Sequence, residues 1–383
     1  MPIDDQISRR SFAKLAAAAA VIPGLPVMAS PRSARSTTRW PGYERAVVID
    51  MLATPGPFNV PDWLDRTLTD EMIENARASG ITAVNVTVSA LGDASTAFEK
   101  TVFNIAALEH ECRRTPKVFS NVRSVADLRL AKEQRKVGII YGFQDTTPLW
   151  DRPERVEMFH RLGVRIIQLT YNGPNLVGDG CLVPKDGGLK PYGRDIIGRM
   201  NDLGILVDVS HTGWDTTRQA IDASRKPVAA THSGAAAVTN NPRNKPDDIL
   251  KKIASRGGVV GIFMMPFLRE SGQPTAVDFV RHVTHCVNVC GEDHVGVGSD
   301  NSITPLDLSP DFRKMHADFV EARRKAGISA PGEDAQVFNY VPEFNSPRRM
   351  ELVAEKLAAA GYTTRRIEKV IGGNWARVLG EVW

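Results

Sequence analysis

Two histidines of this sequence stand where metal ligands are expected. His211 and His232 each follow directly on a short apolar run, as DVSH and ATHS. If these runs are neighbouring parallel strands, both imidazoles lie at the same edge of the sheet, and neutral imidazole is a common ligand of divalent transition metals. Asp300 ends a third run, GVGSD, where a carboxylate is placed for acid/base chemistry. Together the three residues predict a metal-dependent or catalytic site, although a structural role would suffice for either histidine alone.

The cysteines do not need a chemical role. The segment RHVTHCVNVC suggests a metal cluster, but helical spacing places Val283, Cys286, Val287 and Cys290 on one face. Such a face is typical of a helix packed on a sheet, so these cysteines are interpreted as core residues. Cys181 is interpreted as a structural thiol in a loop, with a metal ligand or a nucleophile as the alternatives.

The residues at the candidate site need a scaffold, and the pattern of the chain indicates one. Near-continuous apolar runs, as strands buried on both faces require, alternate with helical patterns. The runs cover residues 46–52, 82–88, 137–143, 164–170, 205–210, 227–233, 258–264 and 294–300. Their alternation predicts an α/β fold, the (β/α)8 TIM barrel, with an open doubly wound sheet as the alternative. Polar residues end several of the runs, and the barrel is favoured because its chemistry lies at that rim.

The N-terminus has the composition of an export signal. Arg9 and Arg10 precede the apolar run LAAAAAVIPGLPVM and a small-residue cleavage site at Ala29. This order predicts a twin-arginine-type signal peptide over residues 1–29 and a periplasmic location. The apolar run is too short for a stable membrane anchor.

The rest of the chain has the composition of a globular protein. Hydrophobic residues make up 42% and charged residues 24%, and the net charge of +4 gives no reason to expect nucleic acid as a partner. Residues 30–44 are interpreted as a linker, and residues 45–383 as one barrel domain. Within that domain, the stretch at about 301–349 is rich in Pro, Asp and Asn and predicts a long loop or partial cap over the barrel.

Several long motifs bring this pattern close to a known family. In chain order they are LGVRIIQLTYN, NLVGDGC, DVSH, THS followed by Arg243-Asn244, DHVGVGSD and GGNWARV. In this order, over roughly residues 45 to 380, they resemble the membrane (renal-type) dipeptidases of the amidohydrolase superfamily. The resemblance implies a metal-dependent hydrolase with a dipeptide-like substrate and, by the habit of the family, a homodimer.

The resemblance also implies roles for single residues. In the family the two strand-end histidines hold one metal ion, and they correspond to His211 and His232. Asp300 matches the acid/base. Arg243 matches the arginine that binds the substrate carboxylate, a group that a guanidinium fork can hold through two hydrogen bonds. Asn244, its neighbour in the motif, is taken as a second substrate contact.

Four positions depart from the family's pattern. The histidine and aspartate of the family's first strand are Leu52 and Thr54 here. The glutamate that bridges two metals is Gln144, and a histidine that assists substrate binding is Tyr171. Leucine cannot bind a metal and a neutral amide offers only one weaker oxygen, so the second metal site is expected to be lost.

The ligands that remain predict a site for one ion. They are His211, His232 and the Gln144 oxygen, and three protein ligands with an open position are the pattern of a catalytic zinc site. One divalent metal ion, with zinc as the expected identity, is therefore predicted. Asp145 supplies the lost carboxylate only if the strand register shifts. Tyr171 either donates a hydrogen bond to substrate or packs at the rim.

Three functions are compatible with this site. The first is a one-metal hydrolase that cleaves an amide bond in a dipeptide or similar small carboxylate-bearing substrate, with Asp300 as general base. The second is an exported non-peptidase enzyme that tailors a peptide natural product, such as a siderophore. The third is a catalytically inactive, dipeptidase-like binding protein. A dead site would not need His211, His232, Arg243 and Asp300 together, which favours the hydrolase, although a fully competent dipeptidase should not lack its first-strand pair.

Overall fold

In the computed structural model, which describes residues 40–57, 60 and 63–383, the apolar runs form parallel β-strands. The strands are β1 (Ile49–Asp50), β2 (Ala53–Thr54), β3 (Ala83–Thr87), β4 (Phe119–Asn121), β5 (Val137–Phe143), β6 (Val164–Gln168), β7 (Leu206–Asp208), β8 (Val228–Ser233), β9 (Val260–Ile262), β10 (Val295–Val297) and β11 (Asn301–Ser302). Eight of them form one parallel sheet in the order β1-β3-β5-β6-β7-β8-β9-β10. The Met51 N–H donates to the Val297 carbonyl at 3.0 Å and links the two ends of this sheet. The sheet is a nearly closed barrel, which confirms the predicted TIM-barrel fold over the open sheet.

Three short strands lie outside the predicted set of eight. β4 pairs with β5 beside the barrel order, and β2 pairs in parallel with β11. The β4 sequence, FSN, carries a single apolar residue, so its pattern does not reveal a strand. The β2–β11 pair continues the chain past the rim of the barrel and sets Ala53 opposite Asn301, next to Asp300.

Helices connect the strands and cover the outside of the barrel. They are α1 (Asp70–Ala78), α2 (Ala94–Arg114), α3 (Val125–Glu133), α4 (Arg155–Arg161), α5 (Pro191–Leu203), α6 (Trp214–Ala223), α7 (Asp247–Ser255), α8 (Ala276–Cys290), α9 (Pro310–Lys325), α10 (Arg349–Ala359), α11 (Thr364–Glu368) and α12 (Asn374–Val382). Their ends carry recognisable signals. α5 begins with Pro191 and is followed by Gly204, whose φ of 71° suits a left-handed cap, and Thr275 and Asp278 form a capping box at α8.

The core lies inside the barrel and between the strands and the helices. Every residue of β5 is buried, as both faces of a barrel strand require. Trp375 of α12 is fully buried, and its indole N–H donates to the Val297 carbonyl at 3.0 Å. Cys286 on α8 is buried too, in line with its interpretation as a core residue, whereas Cys290 is only partly buried; all four cysteines are free thiols.

The segment 301–349 contains a helix where the sequence predicts a loop or cap. α9 is capped by Ser309, whose side chain accepts from the Phe312 N–H, but it buries only His316 and Val320. So narrow an apolar face leaves little periodicity in the sequence, because the helix packs over the rim of the barrel instead of on the sheet.

The predicted signal peptide (1–29) and most of the predicted linker (30–44) fall outside the described residues. From Trp40 on, the described chain packs as one compact unit. Among the helices of this described part, none has the length and hydropathy to span a lipid bilayer.

Candidate active site

The predicted site residues meet at the carboxyl ends of the barrel strands. Gln144 follows β5, Tyr171 lies beyond β6, His211 follows β7 and Asp300 lies beyond β10. These four side chains and Arg243 line one cavity of about 60 Å³. His232, on β8, is fully buried behind His211. The rim of a TIM barrel brings residues from different strands together in this way.

The hydrogen bonds of His211 fix its tautomer. Its Nδ1 lies 2.6 Å from Oδ1 of Asn172. The Asn172 amide group is oriented by its own N–H, which donates to the Ile328 carbonyl at 2.8 Å. Because Oδ1 can only accept, His211 Nδ1 must carry the proton. The Nε2 atom of His211 therefore presents a lone pair.

The same reasoning fixes His232. The Thr231 hydroxyl donates to Asp208 at 2.5 Å, so its oxygen accepts from His232 Nδ1 at 2.9 Å. Asp208 is fixed in turn, since it also accepts from the hydroxyl and backbone N–H of Ser210. This carboxylate–hydroxyl–imidazole chain leaves the lone pair of His232 on Nε2.

Two Nε2 lone pairs therefore face each other at 3.0 Å. Burial, followed by the charge of Arg243, lowers the pKa of both imidazoles well below the ordinary value, so neither ring supplies a proton to share. Two nitrogens bound to one tetrahedral zinc ion lie about 3.3 Å apart. The pair of histidines fits a single divalent cation, which would remove the repulsion between the lone pairs.

Gln144 is the remaining candidate ligand beside the two histidines. Its amide forms no hydrogen bond with another described residue and lines the same cavity as His211. Among the described residues, no group of three or more His, Cys, Asp or Glu side chains converges to hold a metal. The donors present beside His211 are two imidazoles and one amide oxygen, a set that fits one ion.

Thr231→Val is expected to weaken the affinity for zinc about 10- to 100-fold without removing either ligand, since outer-shell partners have effects of this size. The isosteric change removes the hydroxyl that holds His232 Nδ1–H and leaves Asp208 one donor short. Competition with a calibrated chelator measures the affinity. Thr284→Val, a matched change on α8 whose hydroxyl contacts Tyr362, should leave it unchanged. Unaltered affinity in Thr231→Val would contradict the role of this hydroxyl.

Asp300 has the features of a general base. Its φ of 58° is unusual for a residue other than glycine, and its N–H donates to the Leu52 carbonyl at 2.8 Å. The carboxylate accepts no hydrogen bond from a described residue, so it is open to the cavity. Burial raises its pKa to about 6, an effect that the positive charges of Arg243 and Arg323 oppose. A carboxylate with this pKa can take and return protons near neutral pH.

Arg243 presents an unused donor to the site. It is 1% exposed, and its Nη1 donates to the Ser210 carbonyl at 3.1 Å. Its Nη2 is buried and has no hydrogen-bond partner among the described residues. Its guanidinium carbon lies 5.7 Å and 5.6 Å from the rings of Phe263 and Phe267. A buried donor with no partner is costly, so this arrangement favours a ligand with an acceptor.

Tyr171 lies between His211, a candidate metal ligand, and the guanidinium group of Arg323. Its ring stacks on His211 with centroids 4.2 Å apart. Its hydroxyl accepts from Arg323 Nη1 at 3.2 Å. Arg323 is paired in turn with Glu333 through two bonds of 2.7 Å and 2.8 Å. The Tyr171 oxygen is occupied as an acceptor, so its proton remains free to donate to a substrate oxygen.

Arg323 and Glu333 were not identified from the sequence. Both line the cavity, yet both come from the segment 301–349 and neither follows a strand. Asn172, Asp208 and Thr231 lie inside the motifs, where polar residues at strand ends are a usable signal. No comparable signal marks Arg323.

Two other predicted residues do not reach the cavity. Asn244 is fully buried, and its amide donates to the carbonyls of Thr239 and Phe267 at 2.8 Å and 3.0 Å. It braces the loop that carries Arg243, so its placement does not support substrate contact. Asp145 accepts from Thr147 and from the Tyr171 N–H, so it is occupied in the turn and does not replace the carboxylate missing at Gln144.

The two first-strand departures line a second, larger cavity. Leu52 and Thr54 border a space of about 810 Å³, whose walls also include Gln144 and Asp300. The two cavities therefore share these last two residues. Cys181 lies beside the smaller cavity's residues, because its thiol donates to the same Asn172 oxygen that His211 contacts, at 3.3 Å. Burial raises the pKa of this thiol, an effect that the charge of Arg243 opposes, and a raised pKa does not suit a nucleophile.

The chain is similar in sequence and in fold to several known proteins. The model of the membrane dipeptidase family (peptidase family M19) matches residues 64–311. An amidohydrolase from Pseudomonas aeruginosa, solved by crystallography, is 35% identical and aligns with a TM-score of 0.75, over 89% of this chain and 98% of that one. A Klebsiella pneumoniae protein described as uncharacterized, in the pqqA 5′ region, is 30% identical over 68% of this chain and 88% of its own length.

Relatives named as dipeptidases match over shorter stretches. Dipeptidase verJ of Clonostachys rogersoniana is 36% identical over 170 residues, which cover 43% of this chain and 43% of that protein. The chain spans about half the length of the first such relatives that it matches.

Proposed function

Because the chain belongs to the membrane dipeptidase family, peptidase family M19, we propose that it hydrolyses an amide bond in a small carboxylate-bearing substrate at a single-metal site. The observation that carries the proposal is the pair of Nε2 lone pairs on His211 and His232, 3.0 Å apart and beside Asp300 and Arg243. Zinc is the expected ion, because two imidazoles and one oxygen suit it.

Each residue of the site has its own role in this reaction. When bound, the metal ion supplies Lewis-acid polarisation at the scissile carbonyl. His211, His232 and the Gln144 oxygen hold it. Asp300 takes a proton from the attacking water and returns it to the leaving amine. Arg243 Nη2 binds the substrate carboxylate and so sets the position of the amide.

A hydrolysis assay tests the proposal directly. The purified protein, treated with a chelator and then reloaded with zinc, is incubated with dipeptides and N-acyl amino acids, and the released amino acid is measured. We expect release only after reloading. No release from any of these amides, by protein that has bound zinc, would leave the non-peptidase and binding functions.

The rate should follow the ionisation of Asp300. The folded protein raises the pKa of this carboxyl to about 6, and a general base must be deprotonated. We therefore expect kcat/KM to fall about tenfold per pH unit below pH 6 and to level off above about pH 7. Rates measured from about pH 5 to 8 check this profile. Asp300→Asn should lower the rate about 10²- to 10⁴-fold and remove the step, and a step that persists in the variant belongs to another group.

A further inference from the structure

The larger cavity continues from the site where the reaction is proposed. Its volume is about 810 Å³, against about 60 Å³ for the cavity that contains His211 and Arg243. Gln144 and Asp300 lie in the walls of both. A ligand that places its amide between these two residues and its carboxylate on Arg243 must extend its other end into the larger cavity.

The wall of the larger cavity is mainly apolar. Its apolar side chains include Leu52, Trp63, Leu64, Val86, Leu91 and Phe103. Leu52 and Val86 form the buried end, and Leu91 and Phe103 are 41% and 54% exposed at the outside. Large hydrophobic side chains exposed beside a cavity are typical of a surface that an apolar ligand covers.

The charges at the inner end do not suit the free amino group of a dipeptide. Leu52, Thr54 and Gln144 are neutral, and Asp300 is the carboxylate needed as the base. The other acidic residue of the described wall, Asp65, is exposed. An ammonium group beside Leu52 would lose its hydration without gaining a dedicated counter-ion, whereas an acyl chain loses nothing there.

We propose that the larger cavity binds an apolar acyl group, and that the substrate class is therefore an N-acyl amino acid, an inference that rests on the proposed hydrolase function. Water adds across the amide bond: the carbonyl carbon gains the hydroxyl, the C–N bond breaks, and the nitrogen gains the proton from Asp300. The carboxylic acid is released from the apolar cavity, and the amino acid from Arg243.

Binding and hydrolysis of N-acylglycines of increasing chain length test the proposal. Calorimetry with zinc-loaded protein compares N-acetyl-, N-butanoyl- and N-octanoylglycine, and released glycine reports turnover. Each buried methylene tightens binding about threefold to fourfold, so the octanoyl compound should bind about 30-fold or more tighter than the acetyl compound if half of the added chain is buried. Equal affinity along the series would overturn the proposal.

Variants of the cavity wall distinguish acyl binding in this cavity from nonspecific hydrophobic binding elsewhere on the protein. Phe103→Asp adds a charge to the wall and Ala90→Phe fills it, and both should reduce the ratio of octanoyl to acetyl affinity about tenfold. Leu130→Asp is the matched control, because Leu130 is 48% exposed on α3 and lies outside the cavity wall. A ratio that is unchanged in both wall variants, or that falls equally in the control, would overturn the proposal.

Binding affinity and amine release together distinguish the acyl-site proposal from the hydrolase proposal. Binding that depends on chain length and on the wall, without release of glycine or of any other amine, would keep the acyl site and contradict the hydrolase. Hydrolysis of dipeptides with no dependence on acyl length would keep the hydrolase and contradict the acyl site.

Discussion

Replacing both His211 and His232 with alanine should remove the bound metal and lower amide hydrolysis by about 10³-fold or more. A metal ion contributes several kcal/mol at a carbonyl, and each 1.36 kcal/mol corresponds to about tenfold in rate. The wild-type protein should contain about one zinc ion per chain and the variant essentially none. Elemental analysis of protein purified without added metal measures both, and the rate is taken on the same samples.

Two further variants make this result specific. Substituting both histidines with glutamine keeps most of the buried volume, so a loss of metal there is not caused by a cavity in the core. His110→Ala with His160→Ala removes two helical histidines, on α2 and α4, and should keep metal and activity. Two ions per wild-type chain would show that the first strand is misaligned with the family. No ion after reconstitution would contradict the metal site itself.

Changing Arg243 to methionine should reduce kcat/KM for carboxylate substrates about 30- to 5,000-fold. The truncation leaves the substrate carboxylate buried and without its partner, which costs about 2–5 kcal/mol for a buried hydrogen-bonded charge pair. Arg243→Lys keeps the positive charge but not the two parallel N–H donors of the guanidinium group, and its kcat/KM should recover only in part. The comparison substrate is the same compound with its carboxylate capped as a carboxamide.

The capped substrate decides what Arg243 does. The wild-type enzyme should strongly prefer the carboxylate, and Arg243→Met should lose most of that preference. Arg243 also donates to the carbonyl of Ser210, the residue directly before His211 in the DVSH motif, so the substitution can disturb the site itself. An equal loss on both substrates would show a structural role and contradict carboxylate binding.

The barrel and the centre of its site could be predicted from the sequence because both depend on local patterns. A strand buried on both faces requires an unbroken apolar run, and polar residues at its carboxyl end or just after it lie at the rim of the barrel. His211 and His232 were found in this way. The motif around Arg243 was informative through family resemblance, since no strand precedes it directly.

Contacts between distant segments were decided only by the tertiary structure. Arg323 reaches Tyr171 from a helix 152 residues away, and the pattern of that helix does not show which rim it will cover. Asn244 stands beside Arg243 in the chain but points into the protein, because its amide is needed by two carbonyls of neighbouring loops.

For the positions of the family's second metal site, too, one part could be predicted from the sequence and another was decided by the tertiary structure. The family resemblance places Leu52, Thr54 and Gln144 at the positions of the second metal site, and their side chains predict that this site is lost, since ligand chemistry is a property of the side chain. The space at these positions depends on the side chains that surround Leu52 and Thr54 in the folded protein. The sequence predicts that a metal position is lost, whereas the cavity beside Leu52 and Thr54 was decided only by the fold, because a cavity is bounded by residues far apart in sequence.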